Sequence, residues 1–193
     1  MSEDESKNYS YEYWFNNPFH KEWNYGDENY YVNRFYEDIV FNLDLPADGY
    51  IVVLGTYKCV SFDKLCKKYG YERCVGMDLW NPEEHPRVIV KDCMTLSEED
   101  DMPIAFCHND LGGFGHTPKL KMHGQKWAAR NMVQGGYFLG NDSSNRLGID
   151  IEGFMEERGM TNTHLRDLNA EDFDLRRLPP RRLNGYMLSK KVK

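Results

Sequence analysis

Residues 50–78, YIVVLGTYKCVSFDKLCKKYGYERCVGMD, decide how this chain folds. The apolar run Tyr50–Leu54 predicts a β-strand that breaks at Gly55, and Cys74–Met77 predicts a second strand that ends on Asp78. Between them, apolar residues at helical spacing predict a short amphipathic helix, and they are Phe62, Leu65, Cys66 and Tyr69. Two strands joined by a helix are the start of a parallel α/β sheet.

The order strand, glycine, helix, strand and acid is typical of the first half of a Rossmann-like nucleotide site. Gly55 allows backbone to approach a ligand with no side chain in the way. Asp78, about 20 residues further on, can accept hydrogen bonds from both hydroxyls of a ribose. We also expect Ser61 to cap the start of the helix and Gly70 to end it. The stretch therefore predicts a site for an adenosine-containing cofactor.

The rest of the chain continues the alternation of helices and strands. A helix is predicted over 29–43, a longer one from Thr117–Pro118 to Gly135–Gly136, and another over 150–158. Further strands are predicted at 88–90, 104–107, 137–139, 163–165 and 185–188, with an extended loop at 178–180. The near-continuous apolar character of the middle strands is typical of strands buried on both faces. We expect a doubly wound, mostly parallel seven-stranded sheet with helices on both faces and an antiparallel C-terminal strand pair.

This order of elements resembles that of small class I S-adenosylmethionine-dependent methyltransferases over residues 29–193, which we expect to form a single domain. The resemblance rests on the element order and on the places of Asp78, Asp92 and Gly135–Gly136. It implies S-adenosylmethionine as cofactor. The chain departs from the family's G-x-G-x-G loop, because it has Gly55-Thr56-Tyr57-Lys58-Cys59. Bulky residues there obstruct a pyrophosphate, which S-adenosylmethionine lacks, so they count more against a dinucleotide.

The resemblance implies which residues contact the cofactor: Gly55, Thr56, Tyr57, Asp78, Leu79, Asp92, Cys93 and Asn109. Asp78 would bind the ribose, Leu79 would flank the adenine, and Asp92 with Cys93 would lie beside the adenine amino group. Two simpler interpretations stay open. Asp78 is also a typical strand-end acid that caps the next loop, and Asp92 is a typical turn residue.

The loop that follows the fourth strand is the expected reaction site, because open α/β sheets bind ligands beyond the carboxyl ends of their strands. Either His108 or His116 is a candidate base for a hydroxyl acceptor, and Asp110 is a candidate to orient it. A structural or solvent-exposed role is the alternative for each histidine. Asp110, Asn141 and Asp142 also look like the metal site of some O-methyltransferases, where Mg²⁺ would lower the pKa of the acceptor. An ordinary strand-end turn is the alternative for Asn141–Asp142.

Composition limits the partners and the compartment. The net charge of −7 argues against non-specific binding of nucleic acid. Arginines at 176–177 and 181–182 make either a local basic patch or an ordinary solvated loop. No apolar run is long enough to span a membrane. The five cysteines include no C-x-x-C pair and are interpreted as buried reduced thiols, which indicates a cytoplasmic protein.

Residues 1–28 form an aromatic-rich N-terminal segment, with a polar tail at its start. It is interpreted as a lid over the cofactor, as a packed flap, or as a contact in a homodimer. The favoured function is methyl transfer to the hydroxyl of a small molecule. Two alternatives stay open: a non-catalytic binding or regulatory protein with this fold, and an RNA or protein methyltransferase.

Overall fold

The computed structural model describes residues 31–111, 118–141 and 150–193 of the chain. The predicted lid at 1–28 lies outside the described residues, and so does the predicted helix start at Thr117. In the described part, none of the helices combines the length and the apolar character that a membrane span requires.

One seven-stranded sheet organises the described residues, in the order β3-β2-β1-β4-β5-β7-β6. Its strands are β1 (Tyr50–Leu54), β2 (Cys74–Asp78), β3 (Val88–Val90), β4 (Ile104–Asn109), β5 (Met132–Asn141), β6 (Met160–His164) and β7 (Tyr186–Lys191). The first five strands are parallel, and β7 pairs antiparallel with both β5 and β6. The predicted fold class is confirmed.

The helices cover the two faces of the sheet because side chains alternate along β1. Val53 packs in one core with α1 (Tyr31–Asp38) and α2 (Val60–Tyr69), whereas Val52 packs in the other core. That second core includes residues of α3 (Pro118–Asn131) and α4 (Ile151–Glu156). Burial of apolar area on both faces fixes the register of β1, since a shift by one residue would exchange the two sets.

Two predicted helix ends are wrong. Cys59, with a left-handed φ of 60°, occupies the N-cap of α2 in place of Ser61, and its side chain accepts no capping hydrogen bond from the helix. The long helix ends at Asn131 instead of Gly135–Gly136, and β5 begins at once at Met132. Gly135 has a φ of +78° and lies where the pairing register between β4 and β5 shifts, so the glycine pair serves a bulge inside a strand.

Two predicted strand properties are also wrong. β4 continues through His108 and Asn109, which were expected in the loop, because both side chains are buried in the sheet. β3 is an edge strand and its residues Ile89 and Val90 are exposed, although burial on both faces was expected. Near the C-terminus, the predicted extended loop at 178–180 ends one residue early, because Pro180 begins a short helix, α5 (Pro180–Leu183).

A charge network attaches the C-terminal segment to α1. The Arg177 guanidinium donates two hydrogen bonds to the carboxylate of Asp38, one of them 3.0 Å long from Nε, and Asp38 is only 4% exposed. Arg177 also lies 3.5 Å from Glu37, which in turn pairs with Lys64 on α2. The neighbouring Arg176 pairs with Asp174 in solvent. Acids on the same surface therefore offset both arginines at 176–177.

The Arg177–Asp38 pair should contribute measurably to stability. In Arg177→Met the apolar stem stays while the buried Asp38 carboxylate loses its described partner. We expect a loss of about 1–3 kcal/mol in the free energy of unfolding, measured by chemical denaturation. Arg176→Met removes a charge from an exposed pair and should change the free energy of unfolding little. Equal losses in the two variants would contradict a special role for Arg177.

Candidate functional site

The loop after β1 has an unusual backbone at every second position. Gly55, Tyr57 and Cys59 have φ values of 87°, 47° and 60°, all in the left-handed region that favours glycine. Their spacing is that of a G-x-G-x-G loop, although two of the three residues carry side chains. The backbone shape of a glycine-rich loop is thus present where the sequence has Tyr57 and Cys59.

Asp78 at the end of β2 holds this loop in place. Its Oδ2 accepts a hydrogen bond of 2.8 Å from the Tyr57 N–H, and its Oδ1 accepts one of 3.3 Å from the Trp80 N–H. Burial raises the pKa of the Asp78 carboxyl, and the backbone N–H groups of the two adjoining loops act in the opposite direction. Asp78 therefore does cap loops, as the simpler interpretation expected. A carboxylate has about four lone-pair sites, so it retains capacity for a ligand.

Glycine at position 55 lets the loops after β1 and β4 approach each other. A Cβ on Gly55 would lie 3.2 Å from the carbonyl carbon of Asp110. The Asp110 N–H donates to the Leu54 carbonyl at 2.9 Å, which continues the pairing of the two strands. Gly76 in β2 has a similar function, since its Cβ would lie 2.6 Å from Cγ2 of Thr56. These contacts place the loop and Asp110 at one end of the sheet.

A small cleft lies at this end of the sheet, beside the loop after β1, and its enclosed space is about 40 Å³. The cleft is lined by Val32 and Tyr36 of α1, by Val53, by the segment from Gly55 to Phe62, and by Asp110. Of the predicted site residues, Gly55, Thr56, Tyr57 and Asp110 therefore share one cleft. Asp78 lies behind the loop, bonded to its backbone.

His108 is placed where it cannot act as the predicted base. Its ring is fully buried in β4, its Nδ1 lies 2.8 Å from the Tyr36 hydroxyl, and Phe35 and Tyr186 pack around it. Burial lowers the pKa of His108 to about 3, so the imidazole stays neutral near pH 7. A buried ring with this pKa has neither access to an acceptor nor affinity for its proton. We therefore leave His108 out of the catalytic set.

The remaining predicted residues near β4 are only partly described. Asn109 is buried, and its Oδ1 accepts a hydrogen bond from the Leu111 N–H at 3.2 Å. Asp110 lies 3.5 Å from the Tyr186 hydroxyl. Asn141 ends β5 beside β4, as expected, whereas His116 and Asp142 lie outside the described residues. Within 31–111, 118–141 and 150–193, no three His, Cys, Asp or Glu side chains group to hold a metal ion.

The residues expected beside the adenine lie near the end of β3. Asp92 is exposed, and its Oδ1 accepts a hydrogen bond of 2.8 Å from the Met94 N–H, as in an ordinary turn. Cys93 is buried, and desolvation raises the pKa of its thiol to about 12. Leu79 follows Asp78 directly and is half-buried. None of these three residues lines the cleft.

Solved structures with the same architecture include the plantazolicin methyltransferase BpumL in complex with SAH, with a TM-score of 0.58 and 10% identity over 94% of this chain and 93% of that one. An rRNA methylase from Streptococcus thermophilus has a TM-score of 0.54 and 13% identity over 80% and 93%. A chain of the Haloferax volcanii complex that contains the Trm112 methyltransferase activator has a TM-score of 0.52 and 15% identity over 91% and 98%. This chain has the fold of the class I S-adenosylmethionine-dependent methyltransferases. No family model matches it, and neither does any curated protein.

Within this methyltransferase fold, sequence reasoning missed three residues that line the cleft. Val32 and Tyr36 fall in the helix predicted over 29–43, and the hydroxyl of Tyr36 was the available sign that this side chain also needs a polar partner. Lys58 was named only as part of the atypical loop. Its ammonium lies 6.0 Å from the centre of the Tyr57 ring, so a positive charge accompanies the loop.

The left-handed backbone predicts how glycine substitutions behave in this methyltransferase-fold loop. Tyr57→Gly relieves a strained φ, whereas Lys58→Gly adds backbone freedom at a residue whose φ is not positive. We expect Tyr57→Gly to be the more stable of the two variants by about 1 kcal/mol in the free energy of unfolding, measured by chemical denaturation. Equal values, or the reverse order, would contradict the strain at position 57.

Proposed function

We propose that this protein is an S-adenosylmethionine-dependent methyltransferase that acts on the hydroxyl of a small molecule. The observation that carries the proposal is the β1 loop, which is left-handed at positions 55, 57 and 59 and whose Tyr57 N–H donates to Asp78. The fold shared with solved methyltransferases supports it. The bound donor would supply an electrophilic methyl group on a sulfonium.

The described residues around the β1 loop fit such a donor. At Gly55 the backbone is bare, and a side chain there would press on Asp110. The Asp78 carboxylate is an acceptor of the kind that ribose hydroxyls require. The cleft extends from the β1 loop to α1, so Tyr57, Lys58 and Tyr36 would lie along one side of the donor. We keep Leu79, Asp92 and Cys93 as the proposed neighbours of the adenine, and Asn109 as a buried support of the loop.

At the acceptor end, we propose that Asp110 orients the hydroxyl, together with the Tyr186 hydroxyl next to it. His116 stays the predicted base. Mg²⁺ at Asp110, Asn141 and Asp142 is not part of the proposal, because Asp110 is the only one of the three whose side chain is described.

Charge supports a small-molecule acceptor. The chain has a net charge of −7, and the guanidinium groups of Arg176 and Arg177 are paired with acids. An RNA substrate requires a basic surface for its phosphates. We also propose a cytoplasmic location, which is supported by the five cysteines, all of them buried and free.

Calorimetric titration tests the donor directly. The purified protein is titrated with S-adenosylmethionine, with S-adenosylhomocysteine and with NADH as control. Micromolar affinity for the two sulfur nucleotides alone would support the proposal and justify acceptor screening. No binding of either would overturn it, and would favour a non-catalytic protein in which Tyr57 and Lys58 close the site.

Asp78→Asn tests the ribose acceptor. The amide oxygen can still accept from the Tyr57 N–H, but the negative charge and one acceptor are lost. We expect affinity for S-adenosylhomocysteine to fall about ten- to a hundredfold. Glu99→Gln, which removes an exposed acid, should leave this affinity unchanged. An unchanged affinity in Asp78→Asn would remove Asp78 from the site.

The raised pKa of Asp78 predicts a pH dependence of donor binding. The carboxylate accepts both ribose hydrogen bonds only when it is ionised, so affinity should fall as pH decreases through this pKa. Because burial raises the pKa, the fall should begin above the range of an ordinary aspartate, whose pKa is about 3.9. Calorimetry from pH 7.5 down to the limit of stability measures it. If donor affinity falls with pH in the same way in Asp78→Asn, the pH dependence belongs to another group.

A further inference from the structure

The free edge of the sheet carries an unexpected apolar surface. Ile89 and Val90 in β3 are 47% and 62% exposed, and Met94, just beyond the strand, is 42% exposed. We name these three residues the edge patch. Side chains alternate along a strand, so Ile89 and Val90 point to opposite faces of the sheet. Both faces are therefore apolar and open at this edge.

No helix among the described residues covers the edge patch, and residues 74–109 are described without a gap. The connection from β2 to β3 contains no helix, and the one from β3 to β4 contains only two short 3₁₀ turns, Cys93–Thr95 and Glu98–Asp100. The interior strands of this sheet are packed on both faces, whereas two of the three residues of β3, Ile89 and Val90, are exposed.

The outer side of β3 also offers backbone for pairing. The Arg87 carbonyl and the Lys91 N–H both face β2, where they bond Gly76 and Asp78. Backbone groups alternate in direction along a strand, so the N–H and C=O of Val90 face away from the sheet. An open edge with apolar side chains and outward N–H and C=O groups is a template for an added strand.

The charges around the edge patch are acidic. Exposed carboxylates precede and follow β3 along the chain: Glu83, Glu84, Asp92, Glu98 and Glu99. The two nearest cations are already engaged. Lys91 pairs with Asp100, and the Arg87 guanidinium donates to the carbonyls of Cys74 and Glu72. A strand that docks here would contact the apolar side chains of the edge patch and would have carboxylates on either side of it.

Charge complementarity selects the occupant. Residues 1–30 of this chain contain more acids than bases, and a second copy would bring the same acids to both sides. We propose that β3 is a docking edge for a cationic protein partner, which adds an extended strand of alternating apolar and basic residues beside Val90. The proposal is independent of methyl transfer. Val90 pairs in register with Asp78, so the docked strand would lie one strand away from the residue that holds the β1 loop.

A labelled peptide of alternating lysine and valine serves as the probe, with fluorescence anisotropy as the measurement on the full-length protein. We expect saturable binding that weakens as salt rises, and no binding of the analogue in which glutamate replaces lysine. Val90→Ser should weaken binding about tenfold, whereas Val192→Ser, at another exposed valine, should not.

Two further variants separate backbone pairing and charge. Val90→Pro removes an N–H that faces away from β2, so it should abolish binding while the far-ultraviolet circular dichroism stays native. The double variant Glu83→Lys with Glu84→Lys should bind the lysine peptide more weakly and should begin to bind the glutamate peptide. No binding up to millimolar peptide, equal binding of the two peptides, or self-association in sedimentation that Val90→Ser abolishes would overturn the proposal.

Discussion

The hydrogen bond from the Tyr57 N–H to Asp78 is the contact on which this site depends. It joins the end of β2 to the loop after β1 and keeps that loop in a backbone conformation that side-chain-bearing residues rarely adopt. Without it, the left-handed residues Tyr57 and Cys59 would be free to relax, and the cleft beside α1 would change shape. The same carboxylate is the proposed ribose acceptor. Loop geometry and donor affinity are therefore coupled through one side chain.

A second constraint comes from the burial of His108. A neutral imidazole bonded to Tyr36 connects β4 to α1, so α1 is both a core element and a wall of the cleft. From the other side, Arg177 holds α1 through Asp38. His108, Tyr36 and Asp38 carry groups that could take part in chemistry, but at this end of the sheet they hold α1 in position. In the proposed reaction, proton removal is assigned to His116 in the loop beyond β4.

The sequence predicted the sheet well, because apolar runs such as Tyr50–Leu54 have few other structures open to them in an α/β chain. It failed where tertiary contacts decide. His108 and Asn109 look like loop residues until Tyr36 and the neighbouring strands bury them. Gly135 suggests a helix end, and only the register shift against β4 shows a bulge. Local sequence likewise predicted Ser61 as the cap, since a left-handed Cys59 has no sequence signal. Asp78 was recognisable because strand order alone places it at the end of β2, beside the loop after β1.

The side chains at positions 57 and 59 change how the β1 loop meets a ligand. A loop of three glycines samples many conformations, and binding has to select one of them at a cost in entropy. Tyr57 and Cys59 can reach far fewer conformations, and folding has already forced them into the strained one. Burial raises the pKa of the Cys59 thiol to about 11, so it stays protonated and packed as an apolar anchor. The β1 loop is therefore largely ordered before a ligand binds, so binding should cost it little further conformational entropy.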